Sequence, residues 1–269
     1  MDIESLSADL KLHGDGVWYS AMRQAVSYPE EGNAGCFAVE DRSFWFQHRN
    51  ACIAAAVGAF PPHGALIDIG GGNGYVARGL EQAGFEVVLM EPGPAGVTHA
   101  RARGLRQVIC ATLETANFRP ASLPAVGLFD VIEHIEEDLK FLSSIGKFLR
   151  PGGYLYATVP AHSLLWSAED LSAGHFRRYT KSGITALLAR AGFAVEFSSY
   201  IFRPLPLPIL LMRSLPRLLG MSAKSGPKNE HAPAGKLLNA LLNGEIANIR
   251  NIRPMRFGAS CLVVAKTPQ

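Results

Sequence analysis

The stretch that most constrains this chain is Leu66-Ile67-Asp68-Ile69-Gly70-Gly71-Gly72-Asn73-Gly74-Tyr75. A short apolar run of this kind reads as a strand buried on both faces, as in a parallel sheet. Four glycines within five positions then read as a turn whose backbone must approach something bulky. Beyond them Val76, Leu80 and Ala83 recur at helical spacing. Strand, glycine turn and helix in that order is the opening unit of an α/β sheet that binds a nucleotide at the turn.

Two ligand chemistries use such a turn. Gly72-Asn73-Gly74-Tyr75-Val76-Ala77 satisfies G-x-G-x-x-A, in which a helix N-terminus receives a pyrophosphate. Asp68, Gly70, Gly72 and Gly74 satisfy a different pattern, acid-x-G-x-G-x-G. An acid just before the turn repels pyrophosphate and suits a cation. This second pattern resembles the first motif of class I S-adenosylmethionine-dependent methyltransferases, whose cofactor carries an ammonium, a carboxylate and a sulfonium and no phosphate. The resemblance implies a Rossmann-like fold and S-adenosyl-L-methionine as cofactor. A nicotinamide-dependent oxidoreductase is the first rival; it leaves Asp68 unexplained, and the chain has no Tyr-x-x-x-Lys pair. A catalytically idle cofactor-binding scaffold is the second.

Composition bounds the partners. At 269 residues and 48% hydrophobic, the chain has ample material for a large core. A net charge of +3 without a long basic block gives no footprint for nucleic acid. Cys36, Cys52, Cys110 and Cys261 are widely spaced and form no C-x-x-C, which predicts neither a zinc site nor a disulfide framework; no metal is expected, and the cysteine usage suits a reducing cytoplasm. Met1-Asp2-Ile3-Glu4 opens without an apolar segment, so no signal peptide is predicted.

The rest of the chain continues the alternation. Residues 1–40 read as a loose N-terminal cap, and Ser43 as the N-cap of a helix carrying the aromatic run Phe44-Trp45-Phe46. Arg49 on that helix is the cation a cofactor carboxylate needs. Phe85 to Glu91 is the second strand, and an acid at its end is placed to hold ribose hydroxyls, which makes Glu91 a cofactor residue. Gln107 to Ala111 is a third strand; Thr112 and Leu113 follow it, where a loop flanks an adenine. Ala125 to Phe129 is the fourth, and Tyr154 to Pro160 the fifth, after a break at Arg150-Pro151-Gly152-Gly153. Pro124 removes a donor and predicts an altered start to the fourth strand.

Leu149-Arg150-Pro151-Gly152-Gly153 is similar to the late motif of small-molecule class I methyltransferases, and Asp130 to His134 resembles the post-strand motif of the ubiquinone-biosynthesis-like O-methyltransferase branch. Gly174-His175-Phe176-Arg177-Arg178-Tyr179-Thr180 and Arg256-Phe257-Gly258-Ala259-Ser260 resemble a bacterial subgroup of that superfamily. The likeness covers roughly residues 43–200 and 255–266; Asn73 departs from it where a small hydroxyl residue is usual. It implies a doubly wound, mostly parallel seven-stranded α/β sheet with an antiparallel last strand, and it adds Phe129 and Asp130 to the cofactor residues. The expected organisation is a helical cap over 1–62, a cofactor-binding core over 63–200, an insertion over 201–257 and the last core strand within 258–269.

His134, just past the fourth strand, and His175, on the long connection from Ser163 to Thr180, are the candidate bases, because imidazole titrates near neutral pH. That connection reads as a lid. On it Arg177, Arg178 and Tyr179 are the candidate acceptor contacts. Arg178 is expected to hold an anionic group, while Arg177 pairs with Glu169 or Asp170. Within 201–220, prolines at 204, 206 and 208 forbid a helix up to Pro208. That apolar run is too short to cross a bilayer, which needs about 20 residues. It forms a wall over a partly apolar acceptor, a peripheral contact with a membrane, or an ordinary hydrophobic cap packed on the domain. A polar loop over 222–235 and a helix from Lys236 to Arg250, broken at Gly244, complete the reading.

Overall fold

The computed structural model describes residues 2–22, 35–215 and 236–269. In chain order its elements are β1 (Leu10–Leu12), β2 (Trp18–Ser20), α1 (Phe44–Ala59), β3 (Leu66–Ile69), α2 (Tyr75–Gln82), β4 (Val87–Met90), α3 (Pro94–Ala102) and β5 (Val108–Cys110). There follow α4 (Leu113–Ala116), β6 (Leu123–Phe129), α5 (Asp138–Phe148), β7 (Leu149–Pro160), α6 (Ala168–Ser172), α7 (Lys181–Arg190), β8 (Ala194–Ile201), α8 (Pro206–Ile209), α9 (Lys236–Arg250) and β9 (Ser260–Lys266).

The strands of the described residues join one sheet in the order β1-β2-β5-β4-β3-β6-β7-β9-β8. From β2 to β7 the neighbours are parallel; β9 runs antiparallel between β7 and β8, as expected of the last strand. The period of two sorts side chains between the faces. Ile67 and Ile69 share one core with Leu142 and Ile145 of α5 and Ile184 of α7, whereas Leu66 joins the opposite core with Ile53 of α1 and Leu80 of α2. Strand order reverses at β3, which lies between β4 and β6, so the ligand crevice opens at the C-terminal ends of these strands.

Among the described residues the sheet has nine strands where seven were expected. The extra pair lies in the N-terminal segment: β2 adds parallel to β5 through Trp18↔Ile109 and Tyr19↔Cys110, and β1 folds back on β2. Ile3, Leu6 and Leu10 are buried against the core, so the first described part of the cap is packed rather than loose, and helical residues at 35–37 precede α1. Pro124 does alter the start of β6, where the register against β7 shifts between Leu123 and Ala125.

Three further expectations are corrected. The connection from Ser163 to Thr180 carries a turn at Ser163–Leu165 and the helix α6, capped by Ser167 and Asp170. Pro206 starts α8 at its first position, where no backbone N–H is needed. Helix α9 runs unbroken through Gly244 because Leu242 and Ile249 are buried and it packs along α1; this outweighs the roughly 1 kcal/mol cost of an internal glycine. The loop expected at 222–235 and part of the run 201–220 lie outside the described residues. Among the described residues, no helix is long and apolar enough to cross a membrane.

Candidate functional site

A cavity of about 690 Å³ lies at the C-terminal ends of β3, β4, β5 and β6, within the usual size range of small-molecule sites. Its first wall is the glycine turn. Gly70, Gly72 and Gly74 have φ of 68°, 54° and 74°. Gly72 lines the cavity and donates its N–H to Glu91 Oε2 at 2.9 Å. Gly74 lies off the cavity wall: a Cβ there would stand 2.5 Å from Leu105 Cδ1, so its role is to let α2 pack.

Asp68 sits beneath this turn, fully buried, and neither carboxylate oxygen meets a donor at hydrogen-bonding geometry. Burial pushes its carboxyl up to about 7; the Arg49 cation and the Ala77 amide only partly offset that. Glu91, at the end of β4, is buried and also accepts the Gly93 N–H at 2.8 Å. Burial raises its carboxyl, against the pull of these two amides.

Arg49 reaches the cavity from α1, but its Nη1 is committed to Asp130 Oδ2, while its Nε is buried without a partner. Asp130 follows β6 at φ 57°, a strained value for a non-glycine residue, and its Oδ1 accepts the Thr158 hydroxyl at 2.8 Å. Arg49 thus faces a carboxylate of its own chain where a cofactor carboxylate was expected. Thr112, the N-cap of α4, Leu113 and Phe129 all line the cavity.

Glu40, Trp45, Phe46 and Asn73 line it too, though the sequence reading did not select them as site residues. Glu40 is held by Arg103 Nη2 at 2.7 Å and Asn73 Nδ2 at 3.3 Å. Its burial raises the carboxyl, opposed mainly by Arg103. No local motif marks Glu40; only α3 brings Arg103 to it.

The opposite wall is formed by the turn after β6, the first turns of α5 and the segment leaving α6; His134, Ile135, Phe141 and His175 stand there. The two imidazoles meet edge to face with centroids 4.7 Å apart. His175 Nδ1 lies 2.9 Å from Asp170 Oδ1. The Phe176 amide donates to the Glu133 carbonyl at 2.8 Å, pinning this segment to the turn. Burial, with His175 adding to it, pushes His134 down to about 4, so it is neutral at pH 7 and a weak base.

Arg178, expected to hold an acceptor, is corrected. Its Nε and Nη2 make a fork on Asp170 at 2.8 and 2.9 Å, and its Nη1 reaches the Ala161 carbonyl. Arg177 pairs with Asp138 at 2.7 Å rather than with Glu169 or Asp170. Tyr179 is buried and donates its hydroxyl to Asp138. None of these three lines the cavity, and neither does any described residue of 201–257. Leu207, Leu211 and Met212 are instead exposed on the outside.

The geometry fits a cofactor with a cationic end: an unpartnered buried acid under a glycine cradle, with a second acid at the next strand end. Comparison with known proteins agrees. Residues 42–196 match the methyltransferase domain family, and the chain belongs to it. It is an S-adenosylmethionine-dependent methyltransferase. It is 27% identical over 177 residues to a Mycolicibacterium smegmatis protein named "probable S-adenosylmethionine-dependent methyltransferase", covering 65% of this chain and 68% of that one. A Methylocella silvestris ubiquinone biosynthesis O-methyltransferase is 30% identical over 97 residues, 34% of this chain and 38% of the relative, so that likeness spans well under half of either. The Haemonchus contortus phosphoethanolamine N-methyltransferase 2, solved with S-adenosyl-L-methionine, shares the fold at a TM-score of 0.55 and 20% identity, over 91% of this chain and 58% of that one.

Proposed function

We propose that the enzyme methylates an oxygen of a small, partly apolar acceptor such as a phenol or enol. The observation that carries this is the imidazole pair on the cavity wall opposite the glycine turn. The partial likeness to ubiquinone biosynthesis O-methyltransferases supports oxygen over nitrogen. When bound, S-adenosylmethionine supplies the electrophilic methyl group; the chain's own residues supply position and proton handling. Asp68, Glu91 and the Gly72 backbone fix the cofactor end. Phe129, Val131, Ile135 and Phe141 give the cavity apolar walls that exclude water. His175 lines the cavity with its Nδ1 against Asp170 Oδ1, and we assign it as the base for the acceptor hydroxyl; such a group contributes about 10²–10⁴-fold.

The test is a panel of phenolic, amine and carbon acceptors with labelled cofactor. Labelled methyl ethers are expected, and a His175→Ala rate lower by about two orders of magnitude or more. Turnover confined to amines would overturn the oxygen assignment.

The exposed Leu207, Leu211 and Met212 support a second proposal, peripheral contact with a membrane. Flotation with liposomes tests it, and loss of flotation in a triple Ser variant is the expected result.

A further inference from the structure

Glu40 follows the helical turn at 35–37, is buried, and lines the cavity. Its two carboxylate oxygens are unequally served. Oε2 accepts from Arg103 Nη2 at 2.7 Å, whereas Oε1 accepts from the Asn73 amide at 3.3 Å. Arg103 is itself shared, since its Nη1 donates to Asp41 Oδ1 at 2.8 Å. A carboxylate oxygen has room for about two donors, so Oε1 keeps acceptor capacity. Burial lifts the Glu40 carboxyl even though Arg103, Asn73 and Arg49 all pull it down.

Asn73 ties this acid to the glycine turn. Its Nδ2 holds Glu40, and its Oδ1 lies 2.8 Å from His99 Nδ1 on α3. A serine or threonine in its place offers a single hydroxyl one bond nearer the backbone, too short to bridge both. Phe37 stacks on the same imidazole with centroids 4.2 Å apart. The Arg103 guanidinium lies over the Phe37 and Tyr75 rings, 4.7 and 5.1 Å from their centroids. The segment that carries Glu40 is thus clasped to the turn and to α3.

Other acids on this wall are already occupied. Glu91 accepts the Gly72 and Gly93 amides, and Asp130 accepts from Arg49 and Thr158. Glu40 and Asp68 keep acceptor capacity, and the Arg49 cation acts on both. The cofactor ends in an amino acid whose ammonium has three N–H donors, which one acid beneath the turn does not use up.

We propose that Glu40 is a further cofactor-binding residue, which accepts from the ammonium of the amino-acid end alongside Asp68. Asn73 is the positioning residue that holds Glu40 to the glycine turn. This rests on the placement of the amino-acid end at the turn, proposed above, and is independent of whether the acceptor atom is oxygen.

The test is calorimetry on the full chain with S-adenosylhomocysteine and with its des-amino analogue, which keeps the carboxylate and lacks the ammonium. Glu40→Gln should weaken S-adenosylhomocysteine about tenfold or more and leave the des-amino analogue within about twofold. Asn73→Ala should narrow the preference between the two ligands in the same direction, whereas a merely structural loss weakens both equally. If Glu40→Gln does not fold, Asn73→Ala carries the test. Equal loss with both ligands, or no loss with either, overturns the assignment. Asp68→Asn separates this from the cofactor's placement. If Asp68→Asn weakens S-adenosylhomocysteine and Glu40→Gln does not, Glu40 alone falls; if neither does, the placement at the glycine turn falls with it.

Discussion

Two fully buried aspartates, one beneath the glycine turn and one behind His175, have opposite fates. Asp170 is saturated: Arg178, His175 and the Ser167 amide all reach it. Burial pushes its carboxyl up, but these partners hold it well below the ordinary carboxylate range. Asp68 meets no donor at bonding geometry, and burial drives it up to about 7. The residue type is the same. What differs is whether the chain itself supplies the countercharge. Where it does, the pair is scaffolding behind His175; where it does not, the acid is left for a cation from outside, which on our proposal the cofactor supplies.

The contrast breaks first at Asp170. Asp170→Asn is expected to cost roughly 3–5 kcal/mol, as when one partner of a buried ion pair is removed. That lowers the melting temperature by roughly 6–20 °C. Asp68→Asn should leave the ligand-free melting temperature unchanged or higher. Equal melting of the two variants would erase the distinction.

The next effect belongs to the ligand. S-adenosylhomocysteine at about 100-fold above its Kd should stabilise by about 2.7 kcal/mol, with no shift from NAD(H); Asp68→Asn should shrink the shift. Arg178→Lys keeps the charge and loses the fork. We expect roughly 1–3 kcal/mol of destabilisation with no ligand present. A raised KM with unchanged melting would instead return Arg178 to the acceptor.

The smallest effect is in pH. A carboxyl raised to about 7 keeps its proton in the folded protein where the unfolded chain has already lost it. Its contribution to ligand-free stability therefore falls as pH rises from about 4 to about 7. The ionised form that accepts a cation grows over the same range. Cofactor affinity should then improve about tenfold from pH 6 to pH 8, and Asp68→Asn should flatten that slope.

The glycine-turn wall of the cavity was legible because its signals are local. Asp68, the glycine turn and Glu91 lie within one strand–turn–helix–strand unit, and backbone geometry alone ties them together. The opposite wall was not. Whether Arg177 or Arg178 faces a ligand depends on Asp138 and Asp170, which different elements deliver, and adjacent residues on an extended segment point apart. The strands β1 and β2 were missed for a related reason. Three residues each are too few for a period to register, and their pairing is set by β5, about ninety positions away.

Glu245 carries a last consequence. Its carboxylate gathers the Phe202 and Arg203 amides and the His48 ring, so α9 is tied both to the end of β8 and to α1, the helix that also carries Arg49 into the cavity. The segment between β8 and β9 looks like an appendage that protein engineering could trim away to leave a minimal enzyme. Cutting it out would strand two amides and an imidazole in the interior and unseat the helix that carries Arg49 to the cavity. The insertion is a keystone, and any shortened version of this chain must supply a new acceptor for those three groups.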